Sequence, residues 1–219
     1  MESESSAQEL QPNSQVHAIL KPQVMGMTFR SVGSHVTIYP QAKLIAPENI
    51  TLGSHIIIDD FVFIGRHRNL VIGNYVHIAS HVSITGGGEC LLCDFCGIAS
   101  GARLLSGTDE IHSGKLLGPT VPAEFRSVTR GRMIIGPHAM VFANAVVLPN
   151  VEIGEGAGVA AGSVVNHNLE PWPIYAGTPA RRVRRRESDD ILRTEQALLS
   201  QQPPLLRRYR DKCALLQGD

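Results

Sequence analysis

Aliphatic residues recur at every sixth position along most of this chain. The beat runs through Val32, Ile38 and Leu44, then Leu52, Ile58 and Ile64. It continues through Ile72, Ile78 and Ile84, and through Leu92, Ile98 and Leu104. After an interruption it returns at Ile135, Val141 and Val147, and at Ile153, Val159 and Val165. A period of six holds three strand repeats of two, so on an extended chain every marked residue faces the same way. The residue four places after each mark is usually small or aliphatic, as at Val62, Val82, Ala102, Ala145 and Ser163. Each hexapeptide therefore points one large and one small side chain inward and then turns. Three hexapeptides close one triangular coil, and a fixed repeat of this kind predicts a solenoid.

A longer period sharpens the picture. Val32, Leu52, Ile72 and Leu92 are spaced by twenty, which is three hexapeptides plus two extra residues. The extra residues fall at one corner, near Pro47–Asn49, Arg66–Asn69 and Gly86–Glu89. The long interruption opens at the same corner one coil later. About six coils at roughly 4.8 Å each predict a prism about 29 Å tall. Residues 1–30 read as an N-terminal arm, 31–168 as the β-helix with an excursion at 106–134, and 169–219 as a basic exit followed by a helical segment. A loop as long as the excursion is uncommon in a compact domain and is usually functional. In the helical segment Ser188 is a candidate N-cap, and Ile191, Leu192, Leu198 and Leu199 form an apolar stripe. That helix is expected to cap the last coil, whose open edge would otherwise invite aggregation. Pro203–Pro204 should break it, with a second short helix over Leu205–Leu216.

Composition narrows the classes of function. The formal net charge is zero, so no basic excess advertises nucleic acid. No apolar run reaches about 18 residues and Met1–Ser14 lacks an apolar segment, which predicts a cytoplasmic protein without membrane insertion. Cys90, Cys93 and Cys96 have metal-ligand spacing, but Cys90 and Cys96 occupy small inward positions of the beat and Cys93 stands where other coils have glycine. They are read as core thiols, and no metal is expected.

The chain resembles the hexapeptide-repeat acyltransferases over roughly Val32–Val183. The small-residue run Val159–Val165 and the exit Glu170-Pro-Trp-Pro-Ile-Tyr-Ala-Gly-Thr-Pro-Ala-Arg-Arg-Val183 are similar to the closing segment of galactoside, maltose and surface-polysaccharide acetyltransferases. The resemblance implies an all-β fold, a left-handed parallel β-helix, working as a homotrimer with active sites between subunits. The hand comes from the resemblance alone, since parallel crossovers are ordinarily right-handed. It implies an acetyl-CoA-dependent O- or N-acetyltransferase whose small-molecule acceptor is a sugar, nucleotide-linked or part of a surface glycan.

The positions matching the family's CoA contacts are Ala143, Ala161, Arg181 and Arg182. Arginine suits phosphate through its planar fork of donors. After Val165 the family commonly has Thr-Lys, whereas this chain has Asn166 and His167, which are also candidates for CoA. Where the sugar O-acetyltransferases usually carry a histidine after the coil that opens the loop, this chain has Asp109. One coil earlier, where relatives have an active-site asparagine, it has His81. The expectation is a redistributed pair in direct general-base-assisted attack, with His81 as base and Asp109 orienting it or touching substrate. His112 is a competing base, and Glu110, Glu124 and Arg126 are candidate substrate contacts. Two other readings share the fold: a γ-type carbonic anhydrase, suggested by His77 and His81, and a non-enzymatic β-helix scaffold.

Overall fold

The computed structural model describes residues 26–201. The six-residue beat becomes three parallel sheets that face one another as the sides of a prism. The first holds β1 (Ser31–Val32), β4 (Ile50–Leu52), β7 (Asn69–Ile72), β10 (Glu89–Leu92), β15 (Arg132–Ile135) and β18 (Glu152–Ile153). The second holds β2 (Val36–Ile38), β5 (Ile56–Ile58), β8 (His77–Ile78), β11 (Gly97–Ile98), β16 (Met140–Val141), β19 (Gly158–Val159) and β21 (Pro173–Ala176). The third holds β3 (Lys43–Leu44), β6 (Phe63–Ile64), β9 (Ser83–Thr85), β12 (Arg103–Leu105), β17 (Val146–Val147) and β20 (Val164–Val165). Six coils are complete, and Leu169 and β21 begin a seventh by pairing with Ile153 and β19.

The strands pair in register, so equivalent residues of successive coils stack, as in Leu52↔Ile72 and Ile98↔Val141. Every marked residue of the beat is buried except Val32, which lies on the first coil, at the end of its sheet among the described residues, and is 51 % exposed. Cys90, Cys93 and Cys96 are all buried. Cys90 and Cys96 sit in the main core, while Cys93 belongs to a small separate cluster with Leu91 and Ile134. Burial pushes the Cys90 thiol up to about 12, the behaviour of an inert core residue. Glycine follows the beat where coils approach most closely: a Cβ at Gly73 would lie 2.8 Å from the backbone nitrogen of Asp94.

The corner between the third and first sheets takes the extra residues, including a 3₁₀ turn over Pro47–Asn49, and it releases the excursion. The excursion is not structureless. Its stems, β13 (Gly107–Asp109) and β14 (Val128–Arg130), pair antiparallel, with a 3₁₀ turn at Ala123–Phe125 between them. Arg132–Ile135 is already back in the first sheet, and Ser106 is buried with its hydroxyl donating to the Thr85 carbonyl, so the excursion proper is shorter than 106–134.

The C-terminal features divide differently from expectation. The exposed strand β22 (Arg181–Arg185) folds back antiparallel on β21 and covers the last edge of the second sheet. The helix α1 (Asp189–Ser200) instead reaches the side of the prism, where Glu195 is buried 3.3 Å from His138 of the fifth coil. Ser188 makes no capping bond to the backbone; its hydroxyl goes to the Asp189 carboxylate. The N-terminal arm up to Met25, the second short helix and Cys213 lie outside the described residues. No helix among those described is long and apolar enough to cross a membrane.

Candidate active site

Two corners of the prism carry columns of side chains on left-handed turns. At the corner between the first and second sheets, His35, His55, Tyr75, Phe95, His138 and Trp172 all have positive φ. Their rings stack in order, at centroid separations of 4.6 to 5.0 Å from His35 to His138 and 6.3 Å from His138 to Trp172. The wider last step spans the sixth coil, where Gly156 leaves room: a Cβ there would lie 2.3 Å from the Trp172 ring. Beside the rings runs a buried polar ladder, in which the Ser54 hydroxyl takes the Ser34 amide, Asn74 the Ser54 amide and Asp94 the Asn74 amide. Arg186 closes this corner by donating to the carbonyls of His138 and Gly156.

The corner between the second and third sheets is built otherwise. Its left-handed positions are Phe61, His81, Gly101, Asn144 and Gly162. The rings of Phe61 and His81 stack at 5.0 Å, and above them the column turns small and polar. Backbone bonds tie it together, from Gly101 to Ser80, Asn144 to Ser100 and Gly162 to Ala143. Ala143 and Ala161 therefore stand on the corner that carries His81, two and three coils further on, or about 14 Å for the longer step. β22 brings Arg181 and Arg182 back alongside β21, the strand that follows on this sheet, with Arg182 3.8 Å from Glu170. The His81 ring is exposed, and the Arg103 guanidinium fixes its backbone by donating to its carbonyl at 2.5 Å.

The other candidates lie elsewhere. Asp109 is held inside the excursion: one carboxylate oxygen accepts the Gly118 amide and the other faces the Arg126 guanidinium at 3.3 Å. Glu110 accepts the Ser127 hydroxyl across the stem. Asp109, Glu110 and Arg126 thus brace the loop against itself, on a different corner from His81. His112 and Glu124 are exposed on the same excursion. Asn166 and His167 pair with each other at 2.9 Å at the corner after the third sheet, not on the His81 column. His77 is turned outward onto Asp59 at 3.1 Å, away from His81. Among the described residues no cluster of three or more His, Cys, Asp or Glu could hold a metal ion.

Two cavities lie elsewhere. One of about 450 Å³ is lined by Arg132, Ile134, Asn150, Val151, Glu152 and Asn168, and one of about 340 Å³ is lined by α1 together with Phe95 and His138. The His81 corner is a convex edge, and an edge becomes a groove only when a second surface faces it. Sequence reasoning singled out His81 but not the Phe61 ring stacked beneath it. The signal was present, because the two are separated by one twenty-residue coil.

Comparison with known proteins agrees with the fold. The bacterial transferase hexapeptide family (six repeats) matches residues 132–167, and hexapeptide repeats of this kind wind left-handed. The chain is 33 % identical over 166 residues to the dTDP-4-amino-4,6-dideoxy-D-glucose acyltransferase of Escherichia coli, covering 75 % of this chain and 86 % of that one. It is similar to AntD, an N-acyltransferase from Bacillus cereus, in complex with dTDP and 3-hydroxybutyryl-CoA, with 33 % identity and a TM-score of 0.74 over 86 % of this chain and 96 % of AntD. A variant of AntD holding dTDP-4-amino-4,6-dideoxyglucose and coenzyme A superimposes with a TM-score of 0.76 at 32 % identity, over 83 % of this chain and 96 % of that one.

Proposed function

The chain belongs to the hexapeptide-repeat sugar acyltransferases, acyl-CoA-dependent enzymes with a small-molecule acceptor, and we propose that it acetylates the amine of a dTDP-linked amino sugar. The observation that carries this reading is the shared corner of His81, Ala143 and Ala161. Small residues there let the thin pantetheine arm lie against the backbone, and the exposed arginines of β22 stand at its far end for the phosphates. The thioester is thereby aimed along the column at His81.

The chemistry needs a deprotonated amine and a place for the oxyanion. His81 takes the proton as the amine nitrogen bonds to the thioester carbonyl carbon. The tetrahedral intermediate collapses with cleavage of the carbon–sulfur bond, and the proton passes to the departing CoA thiolate. Asp109 and Arg126 shape the excursion that faces the acceptor rather than orienting His81 in the same chain. The working unit is a cytoplasmic homotrimer with sites between subunits, and exposed Ile111, Leu116, Leu117 and Phe125 on the excursion need such a neighbour to cover them. Asn166 and His167, on another corner, would then serve a CoA bound mainly by the next subunit.

Thiol release from acetyl-CoA in the presence of dTDP-4-amino-4,6-dideoxyglucose tests the reaction. Turnover is expected with the amino sugar and not with its hydroxyl counterpart, and the reverse preference would make the enzyme an O-acetyltransferase. His81→Ala should lower kcat by about 10² to 10³; a near-native kcat would remove His81 from the chemistry.

A further inference from the structure

Below His81 the surface changes character. Phe61 and Phe63 are exposed by 53 % and 39 % on the second coil, where Ile57 of the adjoining sheet is also exposed, by 44 %. Phe61 adopts a φ of 63°, an uncommon conformation for a bulky residue that is usually retained for a reason. On the ring column of the opposite corner Tyr75 and Phe95 are stacked on both faces. Among the described residues Phe61 has a ring on one face only, that of His81. The equivalent place on the first coil is Gln41, whose backbone N–H donates to the Asp60 carboxylate.

The third sheet continues this patch. Its outward row, read through the pairing register, is Lys43, Phe63, Ser83 and Arg103. Lys43, Phe63 and Arg103 are exposed, and no carboxylate stands in that row. Two aromatic rings are thus flanked by one cation on each side, over three coil steps of about 14 Å in all. A purely apolar contact with another protein would not call for a cation at each end, neither of them in an ion pair among the described residues. A flat heteroaromatic ring joined to phosphates meets both features, with the ring on phenylalanine and the phosphates on arginine and lysine.

We propose that Phe61, Phe63, Lys43 and Arg103 bind the nucleoside diphosphate end of the acceptor, with the pyrimidine base against the phenylalanine rings. This deepens the reading of the reaction and rests on it. The nucleotide lies on the N-terminal side of His81 and the acyl donor on the C-terminal side, so the two substrates approach the base from opposite ends of one corner. Ser83, beside Phe63 in the row, faces the same ligand.

The test is calorimetric titration with dTDP, alongside steady-state kinetics. Phe61→Asn removes the ring while keeping a residue that accepts a left-handed turn, so the coil should fold. It should weaken dTDP about tenfold, and the rise in acceptor KM should exceed any change in kcat. Acetyl-CoA affinity should hold. Lys43→Gln and Arg103→Gln should weaken dTDP more than deoxythymidine. Variants that bind dTDP as tightly as the parent would overturn the site. So would a change in sedimentation coefficient in place of a change in binding, because the patch would then be an interface between copies. The two readings fail separately: a parent that binds dTDP in a Phe61-dependent way but acetylates no amine keeps the site and loses the reaction. A parent that acetylates free amino sugars but binds no dTDP keeps the reaction and loses the site.

Discussion

The two ring-bearing corners of this prism start from one turn geometry and end with opposite uses. Both place a residue at positive φ on successive coils. Between the first and second sheets the rings continue from His35 to Trp172, flanked by a buried polar ladder and sealed by Arg186 and α1. Between the second and third sheets the rings stop at His81 and give way to Gly101, Asn144 and Gly162. The first corner is a spine, closed because ring stacks on ring. The second is open where its rings give way to small residues, and the opening begins at His81, the base of the proposed reaction. Repetition builds the scaffold, and the departure from repetition is where the proposed reaction places its substrates.

The comparison can be broken by writing one corner into the other. Gly162 has nothing within 4 Å of where a Cβ would stand, so a ring placed there would project into the proposed path of the donor. Gly162→Phe should lower kcat/KM for acetyl-CoA about a hundredfold, by displacing the thioester from the base. The fold should survive, since Phe61 and Phe95 already place rings on left-handed turns. Unchanged acetyl-CoA kinetics in a folded variant would show that the donor does not use this corner. The reciprocal change belongs to the spine. Trp172→Gly deletes the last ring of the closed stack without opposing its φ of 77°. Because Trp172 is only partly buried, the loss of stability should be about 2 kcal/mol, below the range for a fully buried tryptophan, read from denaturant unfolding. The acetyl-CoA KM of the folded enzyme should hold; a rise comparable to that of Gly162→Phe would mean that the two corners are not separate in function.

Much of this was legible in the sequence, for a physical reason. A solenoid turns sequence period directly into spatial stacking, so the buried faces of all three sheets, the corner of the extra residues and the origin of the excursion could be read from spacing. The same arithmetic puts Asn144 and Gly162 at the point of their coils that His81 occupies, while Ala143 and Ala161, one residue earlier, came from the family resemblance. The rings at 35, 55, 75 and 95 carried the twenty-residue period as well. Their stacking depends on the rise per coil, which a pattern of apolar positions does not contain. The excursion obeys no period. The bridge from Asp109 to Arg126 and the bond from Glu110 to Ser127 arise from an antiparallel ribbon whose register spacing alone does not set. The same holds for α1: its apolar stripe is visible in the sequence, but the surface it meets is fixed by the chain path through β22.

The smallest expected effect distinguishes the two ends of the spine. Near the N-terminal end its stack contains His35 and His55, whereas further along it contains Tyr75 and Phe95. Burial, and secondarily the neighbouring charge of His35, hold the His55 imidazole below its ordinary value. His67, buried at the corner of the extra residues, is lowered mainly by its burial, partly offset by bonds to the Gly65 and Thr85 carbonyls. In both cases the unfolded chain takes up the proton first as pH falls. Stability is therefore complete above the unfolded value near 6.5 and declines as pH drops through it. Both residues lie in the first coils, so the acid sensitivity should be local. Amide exchange, corrected for its intrinsic pH dependence, should show the first two coils losing protection between pH 7.5 and pH 5 while the fourth and fifth keep theirs. His55→Phe, which extends the uncharged part of the stack, should remove part of that difference. A uniform loss along the prism, or one unaltered by His55→Phe, would assign the acid response to groups outside the spine.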